Sequence, residues 1–328
     1  SLSQIDLPSP STRFTYDLSR PIKDIDVHQA VENGLQHVRK TLPYVLALMH
    51  EKVRSVVIED LRPGSTIPYE LFTIQPTVEG QFIFERRTTS DDPAPQRQTV
   101  WCTSKYGVTL TSLSSEGQLV PYPVDLPRLF YFLPLIGSED FPSPVIIHST
   151  DLKPTHERTG IMLSDKDHAN RQVMLAVSKV MSDHLARLTG AGLKGLHQMS
   201  HWPKGRLSQS EHDWIKPAVH EPWGEVILNA KLVRALGDLK ALKDTRIPRV
   251  SDASGAEQNL RELEDILRAC NWFTLPDSDE IADWVQASSA IWGKEVVLRA
   301  GVLVQRVAEL GSLDKLTEKN LNNDWLAR

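Results

Sequence analysis

The stretch RLFYFLPLIGSEDFPSPVIIHSTDLKPTHERTGIML (128–163) carries the residue best suited to chemistry in this chain. An apolar run leads into an acidic, proline-containing loop. A second apolar run follows, and then a polar loop with one arginine, Arg158. His156 and Glu157 precede it and Gly160 follows. A loop arginine just past a buried strand is placed to meet an anion, because its planar guanidinium offers paired N–H donors to a phosphate or carboxylate. A structural arginine paired with Asp151 or Glu157 fits the same spacing, and both readings stay open.

Four other patterns suggest chemistry and carry less. GAGLKG (190–195) matches G-x-G-x-x-G. A dinucleotide fingerprint, however, follows a strand and opens a helix, so that the pyrophosphate meets free N–H groups. Here the glycines follow a helical pattern and Pro203 interrupts what comes next, so a helix end and a linker are expected. His197 and His201 stand four apart, a spacing that serves zinc on a helix. HQMSH lacks a metalloprotease glutamate, so surface histidines are expected and no metal site. Cys102 sits beside Trp101 in an apolar strand with no local cation to activate a thiol, and a buried cysteine is expected. Trp202, Trp214, Trp223, Trp272, Trp284 and Trp292 crowd the C-terminal part, and tryptophan is enriched at protein–protein hot spots. Trp284 shares a helical face with Ile281 and reads as core; Trp202 and Trp223, each beside a proline, are the ones expected to be exposed.

The elements that must position these residues are legible from periodicity. Residues 1–12 read as a flexible lead-in and RFTYDLS (13–19) as a short strand. Asp24 or Asp26 caps a helix of about 24 residues whose apolar stripe runs from Val27 to Met49, with Pro43 expected to kink or restart it. Runs at 53–60, 69–77, 80–89, 99–106, 108–114, 128–136 and 144–149 are rich in β-branched and aromatic residues and bounded by turn signals. PVIIHS (144–149) is apolar without alternation, as an internal strand is. Helical periodicity returns from about residue 169 to 188. It then recurs at 208–220, 221–233, 258–273, 279–292 and 294–310, with Ser208 or Ser210 as a cap near Glu211. The order of helix, meander and buried strand implies an α/β or α+β domain with a mixed sheet and helices on one face over 13–189. A linker at 190–207 and a mostly helical domain at 208–328 follow.

The 328 residues include 42 acidic and 37 basic side chains, a formal net charge of −5. That balance is unfavourable for duplex nucleic acid, and the nearest basic run, LKALKDTRIPR (239–249), is diluted by Asp244. The composition, 40% apolar and 24% charged, excludes collagen, a coiled coil and a disordered tail. No run is long and apolar enough to span a membrane, and SLSQIDLPSPST lacks the regions of a signal peptide. Two distant cysteines, Cys102 and Cys270, exclude a disulfide framework and a thiolate zinc site, which suggests a reducing cytoplasm.

The run from Phe130 to Leu188 resembles the segment that follows the ATP-binding module in sacsin-like proteins and in bacterial relatives of the ninety-kilodalton heat-shock chaperones. These are GHKL-type ATPases. FLPLIG, FPSPVIIHSTDLKPTHERTGIML and the helix after Asn170 carry the likeness, with Ser149, Asp151, Leu152, Pro154 and Arg158 in the family's loop order. RFTYDLS with TLPYVLALM is similar to the start of this transducer region, and KLVRALGDLKALKDTRIP (231–248) to the helix-then-Ile-Pro units that follow it. The resemblance implies that Arg158 is an accessory catalytic residue contacting the γ-phosphate, with Lys153 and Asn170 at the same interface. It implies an N-terminal ATP-binding module of the same protein as partner, with ATP and Mg²⁺ held there, and a protein client or a homodimer as further partners. The family's Glu-Asn pair, Asp-x-Gly-x-Gly loop and Gly-rich lid are missing from the sequence, so no cofactor and no ATP hydrolysis are expected of this chain alone. The alternative is a non-enzymatic scaffold that binds a protein through the Trp-rich half. Nucleic-acid binding through 231–249 comes third.

Overall fold

A computed structural model describes residues 26–60, 69–88, 95–203, 205, 207–248, 261, 263–265, 267–268, 271–287, 296–298, 302, 305–306 and 308–309. The lead-in at 1–12 and the strand expected at 13–19 lie outside the described residues. The chain folds into two compact units, Ser1–Val100 with Phe132–Pro134, and Trp101–Tyr131 with Leu135–Arg328. Residues 190–207 fall within the second unit.

In the first unit, α1 (Val27–Leu48) starts where Asp26 accepts hydrogen bonds from the backbone N–H groups of His28 and Gln29, at 3.0 and 3.1 Å. One helix spans Pro43 rather than restarting there. Its C-terminal half buries Leu42, Tyr44, Leu46 and Ala47. Strands β1 (Ser55–Glu59), β2 (Tyr69–Pro76) and β3 (Gln81–Arg87) form an antiparallel meander with Val57 opposite Leu71 and Ile74 opposite Phe84. Alternation points Phe72, Ile74, Phe82 and Phe84 inward, and the rings of Phe72 and Phe84 stack 6.0 Å apart. Glu70, wholly buried, is held by Arg39 Nε at 2.6 Å and by Arg86 at 2.7 Å.

β4 (Gln96–Lys105) carries the chain into the second unit. A tight turn with Tyr106 and Gly107 both at positive φ leads to β5 (Val108–Ser115). The chain continues through β6 (Gln118–Leu119), β7 (Leu129–Tyr131), β8 (Leu133–Pro134) and β9 (Ile146–His148). β9 lies between β5, antiparallel, and β7, parallel; two sheet neighbours explain why PVIIHS lacks alternation. α2 (His168–Gly190) buries Val173, Met174, Val177, Val180, Met181, Leu185 and Leu188. His184 on the same helix is bonded to Thr103 Oγ1 at 3.0 Å and Ser112 Oγ at 2.9 Å. The helix ends at Gly190, and Gly192 and Gly195 take positive φ, so GAGLKG is a helix end.

Beyond it stand α3 (Gln209–Ile215), α4 (Glu221–Asn229), β10 (Lys231–Ala235), β11 (Asp238–Ala241), β12 (Ile247–Pro248), α5 (Ile281–Gln286) and β13 (Val297–Leu298). Two helical expectations need correcting. The helix expected to run through 233 stops at Asn229, and 231–241 is a β-hairpin. Leu236 and Gly237 at positive φ make its turn, and a bulge between Lys231 and Val233 buries both Leu232 and Val233. That bulge breaks the alternation that would have announced a strand. Val297–Leu298, expected in a helix, pairs in parallel with Ile247–Pro248. The described fold is mixed α+β.

Candidate functional site

The loop after β9 is built from its own backbone. Pro154 and Ile161 pair as an antiparallel bridge, and the N–H of Thr155 donates to the carbonyl of Gly160 at 2.9 Å. The N–H of Arg158 donates to the carbonyl of Thr155 at 2.9 Å, and that of Thr159 to the Thr155 hydroxyl at 3.2 Å. These bonds hold Arg158 at φ +57°, a left-handed conformation that costs a non-glycine residue on the order of 1 kcal/mol. On the other side Gly137, at φ +113°, lets the chain lie against Thr159; a Cβ there would sit 2.7 Å from the Thr159 carbonyl oxygen. Thr159 therefore abuts the loop that carries Ile136.

Arg158 is exposed, and its guanidinium stands 5.6 Å from the ring centroid of Tyr131. Among the described residues no carboxylate pairs with it. The structural pairing with Asp151 or Glu157 is therefore not formed. A guanidinium resting on an aromatic face keeps its N–H edges outward while its stem is ordered. Ile136, next to the Gly137 that abuts Thr159, and Met162 on the loop itself are large and apolar and remain 63% and 54% exposed.

Asn170 and Lys153 meet at the base of the loop through the Lys153 backbone. The buried Asn170 amide accepts from the Lys153 N–H at 2.7 Å and donates to the carbonyls of Lys153 at 3.0 Å and Met162 at 2.9 Å. All its polar atoms are used in clipping both legs of the loop to the first turn of α2. The Lys153 side chain is exposed.

Residues the sequence did not mark complete the site. Leu163, fully buried, donates its N–H to Glu211 Oε1 at 2.8 Å, and its carbonyl accepts from Arg171 Nε at 2.9 Å. Arg171 also pairs with Asp165 at 2.8 Å and lies 4.8 Å from the Trp214 ring centroid. Burial acts to raise the Glu211 pKa, but hydrogen bonds from Ser208 and Leu163 outweigh it and hold the carboxyl below its usual range. The spacing Ser208-x-x-Glu211 announces a capping box, which forms. Nothing in the spacing announces that the free oxygen of Glu211 would reach back 48 residues.

Several expectations for other residues are settled here. Cys102 is buried and its thiol is pushed up to about 12 by burial, so it is not a nucleophile. Trp284 is core, as expected, but Trp223 is only 1% exposed, and Trp202 packs edge-on against it at 4.8 Å and against His220 at 4.7 Å. The exposure expected of Trp202 and Trp223 is thus corrected: Trp223, in the first turn of α4 after Pro222, is buried, and Trp202 is half-buried against it. His197 is also buried rather than on the surface, packed against Trp284, while His201 is exposed. Among the described residues no group of three or more His, Cys, Asp and Glu is placed to hold a metal, and no helix is long and apolar enough to cross a membrane.

Among the described residues the loop N–H groups of Thr155, Arg158 and Thr159 are already bonded within the loop. No protein-family model matches the chain, and no curated protein or solved structure matches it.

Proposed function

We propose that this chain is the coupling region of a GHKL-type ATPase, in which the 150–163 loop presents Arg158 to the terminal phosphate of a nucleotide held by a separate module. ATP and Mg²⁺ belong to that module. This chain contributes a positive charge delivered from outside the nucleotide site, and such a charge lowers the barrier only where phosphoryl transfer is already set up. The observation that carries the proposal is the state of Arg158: exposed, over the ring of Tyr131 and without a carboxylate partner among the described residues, on a loop tied by backbone bonds at Thr155 and at Arg158 itself. Ile136, next to the Gly137 that abuts Thr159, and Met162 on the loop are exposed apolar side chains that a docking partner could cover. The scaffold alternative is less favoured because Trp223, which it would use as an exposed contact, is interior, while Trp202, Trp214 and Trp272 are half-buried and Trp292 lies outside the described residues.

The test is ATP turnover by the whole protein carrying Arg158→Ala. An arginine of this kind is worth about 10³-fold or more in kcat, so turnover should collapse with KM for ATP little changed. Arg158→Lys should recover only a part, because a point charge does not reproduce the two-pronged contact. A whole protein without ATP turnover, or turnover that survives Arg158→Ala, overturns the proposal.

A further inference from the structure

The two backbone groups of Leu163 are both bound by side chains, one from each of two helices. Glu211 at the start of α3 takes the N–H, and Arg171 on α2 takes the carbonyl. The second oxygen of Glu211 simultaneously accepts from the Ser208 N–H at 3.0 Å and the Ser208 hydroxyl at 2.6 Å, closing the N-terminal cap of α3. Arg171 meanwhile stacks on Trp214 of that helix. Leu163 therefore sits where the arm bearing Arg158, the first turn of α2 and the cap of α3 are tied together. The neighbouring residue, Met162, is gripped through its carbonyl by Asn170.

From this geometry we infer that Glu211 and Arg171 are positioning residues for Arg158, forming a latch that makes the position of the arm and the capped state of α3 one variable. The inference rests on the proposed role of Arg158 for its functional consequence, but the latch itself is a property of this chain. A pull on the arm that shifts Leu163 must stretch a charge-assisted bond to the carboxylate that also closes the capping box of α3, and loss of that carboxylate in turn frees the arm. A phosphate contact at Arg158 is thereby registered in α3 as well as in α2. Ligand-driven coupling of this sort requires an element with two arrangements whose bonds differ, and the shared carboxylate supplies the difference.

The latch is tested by amide exchange on this chain and by turnover of the whole protein. Ser208→Ala removes the cap's hydroxyl but leaves Leu163 its acceptor. Glu211→Ala removes the acceptor of Leu163 and the carboxylate that bonds Ser208, leaving the Ser208 hydroxyl in place, and Glu211→Gln keeps an acceptor oxygen. We expect exchange at the Leu163 amide and through 155–162 to rise about tenfold in Glu211→Ala, and little in Glu211→Gln or Ser208→Ala. In the whole protein Glu211→Ala and Arg171→Ala should lower kcat with KM for ATP little changed, and Glu211→Gln should restore most of it. Unchanged exchange at 155–163 in Glu211→Ala overturns the latch and leaves the role of Arg158 standing. Raised exchange together with turnover indifferent to Arg158→Ala removes the role of Arg158 and leaves the latch. Turnover that needs Arg158 yet ignores Glu211→Ala refutes the positioning role.

Discussion

Each unit fully buries one titratable side chain, Glu70 in the first and His184 in the second, and the two are satisfied by opposite means. In the first, Glu70 has no exposure and is neutralised by two guanidiniums, Arg39 and Arg86, while Glu85 is held by Arg97 at 2.7 Å and Arg87 at 3.2 Å. In the second, the deepest polar group is His184, uncharged and fixed by two hydroxyls, and Tyr122 bonds to the Thr111 carbonyl and the Ile146 N–H. Desolvation explains the contrast. A buried carboxylate survives only beside opposite charge, and then resists loss of a partner; a neutral imidazole needs only two hydrogen bonds, and then resists gain of a proton. The first unit is therefore vulnerable to deletion of a charge, and the second to acid.

Each side of that contrast can be broken. The largest effect is expected from Glu70→Ala, which leaves two half-buried guanidiniums facing each other. Chemical denaturation should show a loss of about 3–5 kcal/mol, and a loss under about 1 kcal/mol would mean that the pair is dispensable. Acid comes next. Burial, with a smaller contribution from Arg187, depresses the His184 pKa to about 3 from an ordinary 6.5. The unfolded chain then binds a proton that the folded chain refuses, so stability is full above pH 6.5 and falls as pH drops through the window toward 3. By pH 5 the loss is about 2 kcal/mol, with ordinary carboxylates still mostly ionised. His220, lowered to about 4 chiefly by its burial, adds in the same direction. Denaturation curves between pH 7 and 4.5 check this, and a His184→Asn variant should flatten the slope.

His184→Leu should cost about 1–3 kcal/mol at pH 7, because Thr103 and Ser112 lose their partner inside the core. Combining it with Thr103→Val and Ser112→Ala should recover part of the loss, a recovery the ionic unit would show only if all three of its charges were removed together. The smallest effect is expected at Arg97. Its side chain is 68% exposed, so Arg97→Ala should shift stability by about 0–1 kcal/mol, and less in high salt.

Which parts of this could be read from sequence follows from how local each signal is. Asp26 and Ser208 announced their helices because a cap bonds within three residues. PVIIHS announced an interior strand because both of its faces are covered along its own length. Arg158 was singled out by its loop, and the loop is where expected. The hairpin at 231–241 was missed because the bulge at its start placed apolar residues at a spacing that a helix also uses. The burial of Trp223 and the reach of Glu211 to Leu163 depend on segments tens of residues away, and no local spacing encodes them. At the site, the exposed arginine was legible and the residues that tie down its loop were not.

One feature of chain connectivity has a practical sequel. The backbone leaves the first unit after Val100, comes back for Phe132–Pro134 only, and departs again. Neither unit can be excised with a single pair of scissors. A gene fragment ending at residue 100 discards a tripeptide that the first unit owns, and one starting at 101 keeps it as a stranger. Transplanting either half into another chain would require grafting two pieces at once.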